Sequence, residues 1–212
     1  MKLKTLFRPF ILTYEFLHII FRRLRKQGLR TTLQWLHAVG LPFLTGRMTL
    51  RYSQILPKLY LGPQYGVLGK KTLEEAGVSA SMSLRSEYND QDFGLSFPEY
   101  SYLPTVDNTA PSLEHLDQGV AFIKRMLDDD RAVYVHCGSG VGRAPTAVAA
   151  YLIAEKGMTV EEAIKTIKDS RPFIRVLPPQ IERLHEYKEH IKYADPEEAL
   201  DEAVIEPLPS DG

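Results

Sequence analysis

Hydrophobic and polar positions follow two different periods along the chain. Four short segments have strand-like patterns, at 58–62, 80–84, 100–105 and 132–136. The segments between and after them place apolar residues every three to four positions, which is the spacing of amphipathic helices. This alternation between about Tyr52 and Tyr193 predicts one α/β domain.

Residues with known capping roles mark the ends of the predicted helices. Ser112 precedes an apolar periodic segment and can cap its first turn. Thr159 and Glu162 have the spacing of a capping box, and Pro178 stands where a last helix can begin. Gly77 ends a short helix between the first two predicted strands. The domain is therefore expected to end in several helices.

Charge is distributed unevenly between the beginning of the chain and the rest. Residues 1–47 carry nine Lys and Arg and one acid, for a net charge of +8, so the remainder carries −9. Apolar residues recur at helical spacing in this basic segment, at Leu6, Phe10, Tyr14, Leu17, Phe21 and Leu24. The pattern predicts a basic amphipathic helix at an anionic membrane surface, and the alternative is a helix that packs on the domain.

Other features of the composition bear on the cellular location of the protein and on its carboxyl-terminal tail. The densest apolar run, at 10–21, is shorter than the roughly 20 residues of a membrane span. A single cysteine excludes an internal disulfide and a Cys-rich zinc site, and it fits a reducing compartment. Residues 195–212 contain seven acids and no base, which predicts a disordered tail without a catalytic role. We expect a cytoplasmic protein, peripheral at the membrane, with a mitochondrial location as the less favoured alternative.

The only cysteine lies between a predicted strand and a predicted helix, in VYVHCGSGVGRAPTAVAAYL at 133–152. A glycine-rich loop before a helix turns backbone amides toward an anion, and its glycines are expected to adopt the unusual dihedral angles of such a nest. Arg143 can return to the same anion with a planar guanidinium, and this positive field would stabilise the thiolate of Cys137. His136 can orient the loop by hydrogen bonding. The predicted phosphate-binding residues are Gly138, Ser139, Gly140, Val141, Gly142 and Arg143.

The stretch from His136 to Arg143 resembles the His-Cys-x5-Arg signature of the cysteine-dependent protein tyrosine phosphatase superfamily. The resemblance to its dual-specificity branch extends over about 52–193, and it implies a protein tyrosine phosphatase-like fold with a central, mostly parallel sheet flanked by helices. It also implies that Cys137 attacks phosphorus and that water hydrolyses the resulting cysteinyl phosphate, without a metal or cofactor. A nucleotide-binding P-loop is excluded, because no Gly-Lys-Ser/Thr follows the glycines.

Protonation of the leaving oxygen requires a general acid, and the sequence offers Asp107 in LPTVDNTAPS. The dual-specificity family that this chain resembles places its general acid in a loop at about this position after a strand. In the alternatives, Asp107 only forms a turn, or Asp117 is the acid although it lies inside a helical pattern.

One position departs from the family pattern. Ala144 stands where a Ser or Thr usually helps the thiolate to leave in the second step. In this respect Arg143-Ala144-Pro145 is similar to plant glucan phosphatases. Turnover is therefore expected, with the second step as the slower one.

A further resemblance, to the mitochondrial phosphatidylglycerophosphate phosphatase type, rests on SLRSEYND at 83–90, PTVDNTAPSLEHLDQGVAFI at 104–123 and VAAYLIAEKGMTVEEAI at 148–164. SLRSEYND at 83–90 is similar to the Glu-Glu-Tyr segment of that group, which Glu87 and Tyr88 match in part. RPFIRVLPPQ at 171–180 matches the segment after the loop helices, where Arg175 either touches substrate or pairs with an acid.

The sequence and its resemblance together predict a metal-independent phosphomonoesterase, with a phosphorylated lipid such as phosphatidylglycerophosphate as substrate. The first alternative is a protein tyrosine, serine or threonine phosphatase. A glucan phosphatase and an inactive phosphate-binding adaptor are less favoured, the latter because Cys137, Arg143 and Asp107 are all present. The expected partners are a phosphorylated lipid or protein and an anionic membrane surface bound through residues 1–47, and no nucleic acid is expected. The predicted catalytic domain covers residues 52–193.

Overall fold

The computed structural model describes residues 8–194, with side chains from Leu17 to Lys192. The chain begins with helix α1 (Arg8–Trp35), a π-helical turn (Leu36–Gly40) and a short helix α2 (Leu41–Thr45). The strands that follow are β1 (Gln54–Leu56), β2 (Leu59–Gly62), β3 (Val78–Arg85), β4 (Glu99–Thr105) and β5 (Ala132–His136). The later helices are α3 (Val67–Glu75), a 3-10 turn (Asp90–Phe93), α4 (Leu113–Asp128), α5 (Arg143–Lys156), α6 (Val160–Ser170) and α7 (Pro178–Ala194). The acidic tail at 195–212 and the first apolar positions of the basic segment, Leu6, Phe10 and Tyr14, fall outside the described side chains.

The five strands form one sheet in the order β1-β2-β5-β3-β4. β2, β5, β3 and β4 run parallel, while β1 pairs antiparallel with β2. The prediction of a mostly parallel sheet flanked by helices is confirmed, and the three-residue β1 is an addition to it. β5 lies at the centre and all of its residues are buried. Its carboxyl end therefore opens at the middle of the sheet edge, where open α/β sheets bind ligands.

Two apolar clusters occupy opposite faces of the sheet. Val133 and Val135 of β5 pack with the layer formed by α4, α5, α6 and α7. Tyr134 points to the other face and packs with Leu73 of α3. Because successive strand residues point to opposite faces, a fully buried β5 supplies side chains to both clusters.

The helix ends follow the capping signals in the sequence. The side-chain oxygen of Ser112 accepts the amide of His115 at 3.1 Å as α4 begins. Thr159 and Glu162 form a complete capping box at the start of α6. These local interactions satisfy amides that the first helical turn leaves without partners.

Helix α1 and the turn after it pack beside the loop that follows β5. Trp35 and Ala38 are buried in one cluster with Val141 of that loop and Phe173. α1 bends at Gly28, whose φ of 79° favours glycine. Part of the basic segment therefore packs on the domain, as the alternative reading of its pattern proposed. Other apolar residues of α1 stay exposed, at Leu17, Phe21 and Leu24.

Candidate active site

The loop between β5 and α5 turns its carbonyl groups outward. The carbonyls of residues 138–141 accept hydrogen bonds from the backbone amides of Gln64 and Arg175 and from the guanidinium of Arg171. By contrast, the amides of residues 138–142 donate to no acceptor among the described residues. Four outward carbonyls leave the N–H groups on the inner side of the loop, directly before the N-terminus of α5. This arrangement is a binding site for an anion.

Arg171 supports the loop from behind. Its side chain is fully buried, and its Nε donates to the carbonyl of Gly140 at 2.8 Å. Its Nη1 donates to the carbonyl of Tyr52 at 2.9 Å, and Nη2 donates to that of Ser139 at 3.3 Å. Burial lowers the pKa of Arg171 to about 10, so it remains charged near neutral pH. Arg171 was not among the predicted site residues, although it opens the segment at 171–180.

The loop requires glycine at Gly140 for two reasons. Its φ is 62°, and a Cβ there would lie 2.3 Å from the carbonyl carbon of Gly62. Gly138 and Gly142 do not adopt positive φ angles. Of the three glycines predicted to adopt unusual dihedral angles, Gly140 has a positive φ, and Gly142 has φ −124° and ψ −78°, outside the helical and extended regions. At Gly142 the constraint is space, because a Cβ would lie 3.3 Å from the side chain of Gln180.

Arg143 is held in a fixed plane at the end of the loop. Its side chain is 2% exposed, and its Nη1 and Nη2 contact the two carboxylate oxygens of Glu87 at 2.8 and 3.0 Å. Nη1 also donates to the carbonyl of Thr105 at 2.7 Å. The buried Nε has no acceptor among the described residues. A bidentate pair fixes both the position and the orientation of a guanidinium.

The charges around Arg143 support each other. The hydrogen bond from Arg143 lowers the pKa of Glu87 to about 2, so Glu87 is ionised at any pH relevant to the protein. Burial alone would lower the pKa of Arg143, but the hydrogen bond with Glu87 and the nearby Cys137 and Asp107 outweigh burial and raise it. The partial match of Glu87 to a known segment was the sequence signal for this contact.

Asp107 lies at the mouth of the site. Its Oδ1 is 3.0 Å from Nη2 of Arg143, and its side chain is 68% exposed. The competing acid, Asp117 in α4, pairs instead with His190 of α7 at 3.0 Å. Cys137, the first residue of the loop between β5 and α5, has a free thiol and is 2% exposed. The fold thus brings Asp107 and Cys137 to one site and places Asp117 elsewhere.

His136 reaches a partner that sequence reasoning missed. Its Nε2 lies 2.8 Å from Oδ2 of Asp90, and both side chains are fully buried. Gln64 donates to the other carboxylate oxygen at 2.7 Å, and the Tyr65 hydroxyl donates to Oδ2 at 3.4 Å. Burial alone would raise the pKa of Asp90, but its contacts with His136, Gln64 and Tyr65 outweigh burial and lower it. The backbone amide of Gln64 donates to the carbonyl of Gly138. Asp90 therefore connects His136, through Gln64, to the loop between β5 and α5.

Replacing Asp90 with alanine is expected to destabilise the fold by about 3 kcal/mol, because it takes the carboxylate away from the buried ring of His136 and removes the acceptor of hydrogen bonds from Gln64 and Tyr65. Urea unfolding of the two proteins measures this difference. Asp92→Ala removes an exposed carboxylate from the same turn and should change stability by less than about 0.5 kcal/mol. The fold lowers the pKa of Asp90, so its contribution should be present above about pH 4 and shrink as the pH falls further. An equal effect of both substitutions would contradict this role.

A cavity of about 350 Å³ opens in front of the loop. Its walls include Asp107, Arg143 and Gln180 from the domain, and Arg23 and Trp35 from α1. Arg175 also lines it, and this side chain has no acidic partner among the described residues, so the reading of Arg175 as half of an ion pair is not supported. Within side chains 17–192, no three His, Cys, Asp or Glu residues cluster as they would around a metal ion.

The thiol of Cys137 and the anion-binding loop at 138–142 lie together at the carboxyl end of β5, the central strand of a mostly parallel sheet. Thiolate nucleophiles need a positive environment, and a phosphoryl group in transfer needs several fixed donors. The combination defines the class of cysteine-dependent phosphatases. The particular family follows from comparison with known proteins.

The family model described as "Dual specificity phosphatase, catalytic domain" matches residues 59–190. The chain belongs to this family.

Curated relatives agree with this assignment. Human "Phosphatidylglycerophosphatase and protein-tyrosine phosphatase 1" is 32% identical over 149 residues, which cover 66% of this chain and 74% of that protein. "Dual specificity protein phosphatase 8" of mouse is 31% identical over 141 residues, which cover 66% of this chain and 21% of that protein. This chain therefore spans about a fifth of the length of the mouse relative.

Solved structures share the fold. A crystal structure of PTPMT1 in complex with PI(5)P superposes with a TM-score of 0.62 at 29% identity, covering 66% of this chain and 96% of that one. Human DUSP28 superposes with a TM-score of 0.60 at 23% identity, covering 68% of this chain and 99% of that one, and at this identity the likeness concerns the fold alone.

Proposed function

We propose that the protein hydrolyses phosphomonoesters through a cysteinyl-phosphate intermediate. In this proposal Cys137 is the nucleophile, Arg143 and the loop amides bind the phosphate, and Asp107 is the general acid. The observation that carries the proposal is the loop at 138–142, whose amides donate to no described residue while four neighbouring carbonyls are bound from outside. A phosphate inside the loop would accept hydrogen bonds from these amides and from Nε of Arg143, which has no partner among the described residues.

In the first step the thiolate of Cys137 forms a bond to phosphorus as the bond to the leaving oxygen breaks. The electron pair stays on that oxygen, which takes a proton from Asp107. The bound phosphate competes with Asp107 for the guanidinium of Arg143, so the carboxyl group is released to carry the proton. Glu87 keeps the guanidinium plane fixed meanwhile through its bidentate contact.

In the second step a water molecule attacks the phosphorus of the cysteinyl phosphate. Asp107, now a carboxylate, accepts the proton of the water, and the sulfur leaves as a thiolate. The positive charge of Arg143 and the loop amides favours this leaving group. His136 and Asp90 act on the loop from behind and hold Cys137 at the end of β5.

The second step is expected to limit turnover, because Ala144 has no hydroxyl to assist the departing sulfur. Rapid mixing with an aryl phosphate should release a burst of phenol ahead of inorganic phosphate. Ala144→Ser should shrink the burst by accelerating breakdown of the intermediate. Linear phenol release in both proteins would contradict a rate-limiting second step.

For the substrate, we favour a phosphomonoester on a lipid. The support is the 32% identity to a human protein named as a phosphatidylglycerophosphatase and the likeness to a structure of PTPMT1 with PI(5)P. Helix α1 adds an exposed apolar stripe at Leu17, Phe21 and Leu24, with basic residues around it. Such a surface suits an interfacial position on a membrane. None of the helices within residues 8–194 has the length and hydrophobicity that crossing a bilayer requires.

Membrane binding is expected to depend on the basic residues of α1. Arg25→Gln with Lys26→Gln should weaken sedimentation with anionic vesicles roughly 30-fold at low salt, because each cation near the surface contributes about 1 kcal/mol. Lys165→Gln with Lys168→Gln removes the same charge from exposed positions of α6 and is the matched control. If the control pair weakens binding as much as the α1 pair, net charge explains the binding and α1 does not.

A protein phosphatase is the second candidate, since the mouse relative at 31% identity is named as one. Hydrolysis of phosphotyrosine and phosphothreonine peptides should be compared with hydrolysis of short-chain phosphatidylglycerophosphate at equal concentration. A higher kcat/KM for the lipid supports a lipid substrate, and a higher kcat/KM for the peptides supports a protein phosphatase.

A further inference from the structure

Three arginines from separate segments gather beside the phosphate-binding loop. Arg22 and Arg23 lie on α1, and Arg175 lies between α6 and α7. All three line the cavity of about 350 Å³ that reaches Asp107 and Arg143. The same three also line a second cavity, of about 270 Å³. The two cavities therefore share one basic wall.

Within the described side chains, this basic wall forms no ion pair. Among side chains 17–192, no carboxylate lies within ion-pair distance of Arg22, Arg23 or Arg175. Burial and repulsion from Arg22 and Arg175 lower the pKa of Arg23 to about 10, so Arg23 remains charged near neutral pH. Like charges held together without an acid are unfavourable, and a bound anion relieves their repulsion.

Arg23 is held in place before any ligand binds. Its guanidinium lies over the ring of Trp35, 4.6 Å from the ring centroid, and its Nη1 donates to Oε1 of Gln27 at 2.8 Å. Trp35 is itself buried against Val141 of the phosphate-binding loop. The position of Arg23 relative to the loop is thus fixed by packing, which reduces the entropy lost on binding.

We propose that Arg22, Arg23 and Arg175 form a second anion subsite, which binds a phosphate of the substrate other than the one that Cys137 attacks. The inference rests on the proposed function and specifies its substrate: one phosphomonoester enters the loop, and a second phosphate, such as a phosphodiester on the same molecule, contacts the arginines. Arg22 and Arg23 lie outside the residues 59–190 that match the family. Two of the three arginines are therefore a contribution of α1, while Arg175 lies inside the matched range.

The test uses two soluble ligands with the same reacting group. Glycerophosphoglycerophosphate carries a phosphomonoester and a phosphodiester, whereas glycerol 3-phosphate carries the phosphomonoester alone. Neither has acyl chains, so membrane binding does not contribute. Dissociation constants are measured by calorimetry on the full chain with Cys137→Ser, and kcat/KM is measured on the full chain with Cys137 intact.

The first ligand is expected to bind at least about tenfold more tightly than glycerol 3-phosphate, because a second charge-assisted contact adds to the first. Arg22→Gln should lower this ratio, and Arg22→Gln with Arg23→Gln should bring it close to one. Arg22 is exposed, so its single substitution tests the subsite even if loss of the Arg23 contact with Trp35 disturbs folding. Arg30→Gln, on the same helix but lining neither cavity, should leave the ratio unchanged.

Equal affinity for the two ligands would overturn the subsite, and so would an equal fall of the ratio in the Arg30→Gln and Arg22→Gln proteins. Failure of the proposed function looks different. In that case the Cys137 protein turns over neither ligand, while the ratio of dissociation constants still reports the subsite.

Discussion

Replacing Cys137 with serine is expected to lower phosphatase turnover by a factor on the order of 10⁵ to 10⁶, as removal of a covalent nucleophile does in other hydrolases. A serine hydroxyl does not ionise near neutral pH, and the loop offers no base to take its proton. Steady-state hydrolysis of an aryl phosphate measures the loss. Phosphate should still bind, because the amides at 138–142 and Arg143 are untouched.

Two controls accompany this measurement. Retained phosphate affinity shows that the loop of the variant is folded. A chelator should leave the activity of the Cys137 protein unchanged, because Arg143 and the loop amides supply the positive charge in this mechanism. Substantial activity in the serine variant, or loss of activity with a chelator, would exclude the thiol mechanism.

Replacing Asp107 with asparagine has the second largest expected effect. Hydrolysis of substrates with poor leaving groups should slow by about 10² to 10⁴, whereas good leaving groups, which need no proton, should be affected much less. A series of aryl phosphates of increasing phenol pKa measures this dependence. Asn keeps the size of the side chain that faces Arg143, so a change in shape does not explain a selective loss.

Asp117→Asn is the matched control, because Asp117 was the alternative candidate for the general acid. In the structure Asp117 of α4 pairs with His190 of α7. It should show no dependence on the leaving group. An equal loss across all leaving groups in Asp107→Asn would assign the acid role to another residue.

Local signals in the sequence determined much of the architecture. The caps at Ser112 and Thr159 are formed as predicted, because a cap involves only residues three positions apart. The strand at 132–136 was recognisable from its continuous apolar character, and the family resemblance placed Asp107 near Arg143. The loop at 137–143 was predicted because its anion site consists of consecutive residues.

The contacts that support the loop could not be read from local patterns. Asp90 reaches His136 across 46 positions of the chain, and Arg171 reaches Gly140 across 31. A buried contact between two polar side chains, or a buried arginine, produces no periodic pattern in the sequence, because the sequence does not say which surface will cover it. The resemblance of SLRSEYND indicated Glu87 but not the partner role of Asp90 in the same segment.

For the amino-terminal segment, too, the sequence did not determine which surface covers the apolar face of the helix. Its amphipathic spacing predicted a helix, and both a membrane and the domain could cover the apolar face. The structure divides the face: Trp35 packs on the domain, while Leu17 and Phe21 stay exposed. The bend at Gly28 lies between these groups, and its positive φ could not be inferred from an isolated glycine.

Direct trapping of the intermediate is the most decisive measurement. The full chain should be mixed with an aryl phosphate, quenched in acid during turnover, digested and analysed by mass spectrometry. One phosphate should be found on the peptide that contains Cys137, in an amount that falls in Ala144→Ser, because faster breakdown lowers the steady-state level. A phosphate on another residue, or phenol release without any phosphoenzyme in either protein, would contradict catalysis through Cys137.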